Sequence, residues 1–222
     1  MGPDSILFQA ATWLIPLVFA IVLHEISHGW VANAFGDPTA RDLGRLSPNP
    51  VRHVDPVGTV ALPLILAVSG APVFGWAKPV PVVAQRLRNP RVHMMIVALA
   101  GPGMNLLLAM LAGIVLALVR PDGPPGGTAE LFLLLNLLNF IAINLFLAIF
   151  NLLPLPPFDG GHVVEGLLPR PLARHYAKLS RFGFPLLIFL LLILPWLVPK
   201  ANVVERVVRP PFEWLLRLFI GS

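Results

Sequence analysis

Residues 14–35 read LIPLVFAIVLHEISHGWVANAF, an apolar run interrupted by His24, Glu25 and His28. The whole run extends from Ser5 to Phe35, longer than the ~18 residues that a bilayer span requires. One ionisable group at the centre of a span costs at least about 2.5 kcal/mol, so three within five residues demand a compensating partner. Their order, His24-Glu25-Ile26-Ser27-His28, is the HExxH pattern. On a helix the two histidines fall one turn apart on one face and can grip one zinc ion, while Glu25 reaches a metal-bound water.

The rest of the chain agrees with a membrane setting. Of 222 residues 56% are hydrophobic and 12% charged, about half the charge of a soluble domain, and the mean hydropathy is +0.79. An ordinary soluble globule and a disordered chain are both excluded. Cysteine is absent, which rules out disulfides, a thiolate metal site and a cysteine nucleophile, and leaves His, carboxylate and water as ligands. The net charge of +5 comes from sixteen Lys and Arg, nearly all grouped at 41–52, 78–91, 170–181 and 200–217 between apolar stretches. That is the positive-inside pattern of cytoplasmic loops and not a nucleic-acid surface.

The expected fold is an all-α polytopic membrane bundle of about four to six transmembrane helices, forming one domain over 1–222 with its core at 5–170. Clear spans are Ser5–Phe35, His93–Val119 and Glu130–Leu153, with a shorter one at Phe182–Val198. The first run lacks a basic start and a cleavage site, so it reads as a span and not as a signal peptide. Pro56–Trp76 is long enough to cross but is interrupted by Pro63, Gly70, Pro72 and Gly75. It is expected to dip in and return as a re-entrant hairpin, which keeps 41–52 and 78–91 on one side. Val203–Ile220, apolar with interspersed Glu and Arg, is expected to lie as an amphipathic segment in the interface.

Two imidazoles and a water leave one protein ligand to find. Of the eleven acids, Asp159 stands apart, following the third span in Asn151-Leu152-Leu153-Pro154-Leu155-Pro156-Pro157-Phe158-Asp159-Gly160-Gly161. Its prolines end a helix and its glycines admit close backbone approach. The alternative is a helix stop with a solvated Asp. His24 lies roughly 28 Å along its helix from Ser5, toward the inner side of the bilayer. Asp159 reaches that side only if Pro56–Trp76 makes no net crossing, so charge placement and ligand geometry select the same topology.

Taken together, HExxH in one span and NxxPxPxxDG after a later one resemble the site-2 protease family of intramembrane zinc metalloproteases. Gly101-Pro102-Gly103-Met104-Asn105 resembles that family's GPxxN element, and residues 49–59 and 75–81 resemble segments of its short bacterial and archaeal members, which lack PDZ and CBS domains. The resemblance covers about residues 10–170. It implies His24, His28 and Asp159 as ligands of one zinc per chain, Glu25 as the catalytic base, and Asn105 and Asn151 as polar groups near the substrate or its oxyanion. It also implies transmembrane protein or peptide substrates, regulated intramembrane proteolysis, and a multi-pass plasma-membrane location with the site toward the cytoplasm. A rival of another class is a metal transporter or channel using the same His/Asp cluster as a transit site. Glu25 discriminates, because a transit site needs no general base.

Other polar residues divide between chemistry and packing. Asn136 and Asn139 are expected to tie helices together, His53 to gate or order the site, and His162 to stand just behind Asp159. Ser27 lies in no nucleophile elbow. Thr59–Leu62 and Val80–Val83, rich in β-branched residues, are expected to offer strand edges on which an unwound substrate pairs.

Overall fold

The computed structural model describes residues 2–69, 77–121, 123–198 and 202–221. Helix α1 (Ile6–Ala34) starts where the Ser5 hydroxyl accepts the Phe8 N–H at 3.2 Å. It stops at Gly36, whose φ of +108° turns the chain so that the Asp37 N–H bonds Ala32 O at 2.9 Å. The buried Asp37 carboxylate holds the turn into α2 (Thr39–Asp42), accepting the Thr39 N–H and hydroxyl, and also accepts the Val83 N–H at 2.6 Å.

The interrupted stretch begins as a helix. Asp55 caps a wide π-type turn at Pro56–Ala61, its carboxylate accepting the Val57 and Gly58 N–H groups at 3.0 and 2.7 Å, and α3 (Leu62–Ser69) continues from it. Thr59–Leu62 is therefore helical, which corrects the strand expected there; among the described residues there is no strand. An Asp cap followed by Pro at the first helical position outweighs β-branched propensity. The second half of the stretch, 70–76, lies outside the described residues. Its two ends nevertheless meet. The Lys78 N–H donates to His53 O at 2.8 Å, and the Arg45 guanidinium bridges Arg52 O and Lys78 O. Ends joined in this way cannot lie on opposite faces of a ~30 Å hydrocarbon core.

Helix α4 (Pro90–Val119) opens with Pro90 at its first position, where no N–H is needed. It packs along α5 (Thr128–Asn151), Ala109, Ala112 and Leu116 burying against Ile141 and Leu145. Small residues on α4 allow the close approach that membrane helices favour. Helices α1, α4 and α5 are each long and apolar enough to span, with mean hydropathies of 2.2–2.3. The chain is a membrane protein. The three spans, or four if the pair Arg170–Phe182 and Pro185–Leu197, bent by 71°, counts as one, stand at the lower end of the expected range.

After α5 come α6 (Asp159–Leu167), α7 (Arg170–Ala177), α8 (Gly183–Ile188), α9 (Leu194–Leu197) and α10 (Arg209–Ile220). The C-terminal segment departs from the interfacial expectation. Val208 is buried against Leu153 and Phe158, and Phe212, Leu215, Leu216 and Phe219 pack onto the α4–α5 core. Its apolar stripe finds helices in place of a lipid surface, while Arg209 is neutralised on the outer face by Glu205 and Glu213 at 2.7 and 2.6 Å.

Candidate metal centre

Three helices bring the chemistry together. His24 and His28 project from α1, and Asp159 is the first residue of α6, delivered by the proline-rich turn after α5. His24 Nε2 and His28 Nε2 lie 3.1 Å apart, and the Asp159 carboxylate oxygens are 3.3 and 3.5 Å from them. One ligand atom from each residue falls within 4.8 Å of the others.

The outer nitrogens of both rings fix the tautomer. His28 Nδ1 donates to Val97 O at 2.7 Å, and His24 Nδ1 donates to Asn105 Oδ1 at 2.5 Å. Both Nε2 lone pairs therefore converge on one point, the arrangement that outer partners impose on metal-binding histidines. The chain of amides behind His24 is consistent in direction: Asn105 Nδ2 donates to Asn144 Oδ1 at 2.7 Å, and Asn144 Nδ2 to Phe140 O at 2.8 Å. Asn105 and Asn144 are fully buried.

Asp159 Oδ2 is buried and has no hydrogen-bond partner. Burial pushes this carboxyl up, but the neighbouring His24 and His28 outweigh it and hold it at about 2, so it is ionised. Two converging lone pairs and an unpartnered carboxylate oxygen are stable together only around a cation. The residues fit zinc, which accepts two imidazoles and a carboxylate and keeps a further position open.

Close packing makes the centre possible. A Cβ on Gly101 of α4 would run into the rings of His24 and His28, and one on Gly160 would run into Leu152 O and Leu153 O. Glu25 is half-buried beside the imidazoles, and its Oε2 accepts the Val80 N–H at 2.8 Å. Val80 belongs to the extended segment 77–83 that follows the interrupted stretch.

The remaining candidates fall elsewhere. Asn105 stands behind His24 and away from an open face, with its carbonyl on the ring and its amide on Asn144. Asn151 donates to Leu147 O, one turn back on α5. Buried His53 bonds Ser47 O at 2.9 Å and orders the loop where residues 53 and 78 meet. His162 is exposed, 3.7 Å from Glu165. Asn139 ties α5 to Thr12 O of α1 and Asn136 bonds back to its own helix, the packing roles expected of them. Ser27 is tied to His24 O at 2.6 Å. Sequence reasoning gave no role to Asn144 and no contact to Gly101. The α5 amide stripe signalled the former, and the glycine three residues ahead of Met104 gave no such signal.

Comparison with known proteins adds an independent line. Residues 126–194 match the model of Peptidase family M50. YwhC of Bacillus subtilis, named as a zinc metalloprotease, is 37% identical over 185 residues, 81% of this chain and 78% of that protein. Rip2 of Mycolicibacterium smegmatis, similarly named, is 34% identical over 186 residues, 83% of this chain and 66% of its own. Rip2 of Mycobacterium tuberculosis is 32% identical over 193 residues, 86% of this chain and 67% of its own. No solved structure matches the chain. With most of both chains aligned to YwhC and a His-His-Asp cluster able to hold a metal, this protein belongs to Peptidase family M50, the site-2 protease family of zinc metalloproteases.

Proposed function

We propose that this chain is an endopeptidase that cuts transmembrane segments of other membrane proteins, as one catalytic domain in the plasma membrane with its site toward the cytoplasm. The observation that carries the reading is the buried, otherwise unpartnered Asp159 Oδ2 facing the two Nε2 atoms, with Glu25 beside them. His24, His28 and Asp159 hold the ion, and Asn105 and Val97 fix the rings. Bound zinc supplies Lewis acidity to the scissile carbonyl and to water. Glu25 takes the proton of the attacking water on its carboxylate and returns it to the amine nitrogen as the C–N bond breaks. The chain forms no covalent bond to the substrate. The cytoplasmic side follows from the basic groups at 41–52, 78–91 and 170–181, which the meeting of residues 53 and 78 keeps together. The partners are transmembrane substrates and the bilayer, the setting of regulated intramembrane proteolysis; nucleic acid has no part.

The test uses purified, zinc-loaded protein and a membrane-spanning substrate. Glu25→Gln should keep its zinc and lose cleavage, and Asp159→Ala should lose zinc. Cleavage by Glu25→Gln, or full zinc content in Asp159→Ala, overturns the assignment. Zinc flux that survives in Glu25→Gln supports a transporter instead.

A further inference from the structure

A cavity of about 700 Å³ opens beside the metal centre. One wall is Val82 and Gln85, continuing the extended segment whose Val80 N–H sits on Glu25. At ~3.3 Å per residue, Val82 is about 7 Å from Val80. The opposite wall is His162, Glu165 and Gly166 of α6, the helix that Asp159 begins. At 1.5 Å rise these residues lie roughly 5–10 Å beyond Asp159. An unwound chain leaving the metal centre between these walls enters the cavity within about two to four residues.

The cavity is cationic. Arg91, Arg170 and Arg174 line it against the single acid Glu165, itself beside His162. Arg91 is committed, bonding Gly166 O at 3.1 Å and also Leu168 O, and so holds the end of α6 in place. Arg170 and Arg174 are exposed, one turn apart on α7, and have no ion-pair partner among the described residues. The flanks that most spans present on the basic-loop side are themselves rich in Lys and Arg. Such a flank is repelled here, and a carboxylate is drawn in as a planar fork partner.

We infer that this cavity is a specificity subsite for an acidic side chain of the substrate, two to four residues from the cut bond on the basic-loop side. The inference rests on the proteolysis reading and deepens it. It predicts that the enzyme selects the minority of spans whose flank on that side is acidic.

The experiment uses the full zinc-loaded chain in zwitterionic vesicles with three otherwise identical spanning substrates, carrying two Glu, two Ser or two Lys in that flank. Wild type should cleave the Glu substrate about tenfold better than the Lys substrate in kcat/KM, through KM. Arg170→Glu with Arg174→Glu should invert that ratio, with zinc content reporting that the centre is intact. Equal rates on all three flanks, or an unchanged ratio in the double variant, overturn the subsite and leave the proteolysis reading standing. A ratio that follows added anionic lipid and not the substrate flank assigns the arginines to lipid headgroups and overturns it too. Zinc-loaded wild type that cleaves none of the three overturns the proteolysis reading, and this inference with it.

Discussion

Val80 donates its backbone N–H to Glu25 Oε2 at 2.8 Å, across 55 residues of sequence. The proposed base is thereby aimed by an extended segment that Asp37 anchors three residues later through the Val83 N–H. A hydrogen bond to a charged acceptor contributes about 1.5–3 kcal/mol. Val80→Pro removes the donor between two existing prolines without disturbing a described ladder. Cleavage should fall about ten- to a hundredfold with zinc stoichiometry unchanged. A Val80→Pro enzyme of full activity would show that Glu25 is oriented by something else.

Asn105 acts through His24 and not on substrate. Removing such an outer partner typically costs 10–100-fold in metal affinity. Asn105→Ala should lose zinc to a competing chelator at correspondingly lower concentrations, and Asn144→Ala should show a smaller loss in the same direction. Asn105→Asp, which keeps an acceptor for the His24 N–H, should retain more zinc than the alanine variant. Undiminished affinity in Asn105→Ala would remove the residue from the centre.

Much of this centre was legible because its parts carry strong local signals. HExxH fixes its own geometry on any helix, and the proline-glycine surroundings of Asp159 mark a tight turn after a span. The long spans follow from hydropathy, to within a few residues at each end. Depth was harder. The stripe of Asn136, Asn139, Asn144 and Asn151 gives an arc on α5, but the distances along α1 and α4 decide that Asn144 backs the metal while Asn151 bonds its own helix. Gly101 needed a three-dimensional contact to matter. The strand expected at Thr59–Leu62 failed because propensity was read before the Asp55-Pro56 start signal. The C-terminal stripe was visible in sequence, but its partner on α4 and α5 was not.

The junction after α1 should be acid-sensitive. Burial pushes the Asp37 carboxyl up, but its bonds from Thr39 and Val83, with Arg86 nearby, outweigh that and hold it below its usual 3.8. A depressed folded value stabilises the fold above the unfolded value and loses that stabilisation as pH falls through the folded one. Thermal unfolding in detergent should therefore show a wild-type midpoint that drops as pH is lowered from about 5 to 3. In Asp37→Asn the midpoint at neutral pH should be lower and this acid-side decline shallower. Parallel pH profiles for the two proteins would mean that Asp37 ionisation does not hold the junction.

The contact between Lys78 and His53 makes a prediction about sidedness that hydropathy alone does not. If residues 54–77 return to where they left, the exposed positions Asp42, Gln85 and Lys178 share one face, and the α4–α5 connection at Gly123 lies on the other. The chain has no cysteine, so single cysteines at these four positions give unambiguous labels. An impermeant thiol reagent outside intact cells should label Gly123→Cys and spare the other three until the membrane is opened. Labelling of Gln85→Cys together with Gly123→Cys would mean that 56–76 crosses. That would separate Val80 from Glu25 by the thickness of the bilayer, and the orientation of the base by the extended segment would fall with it.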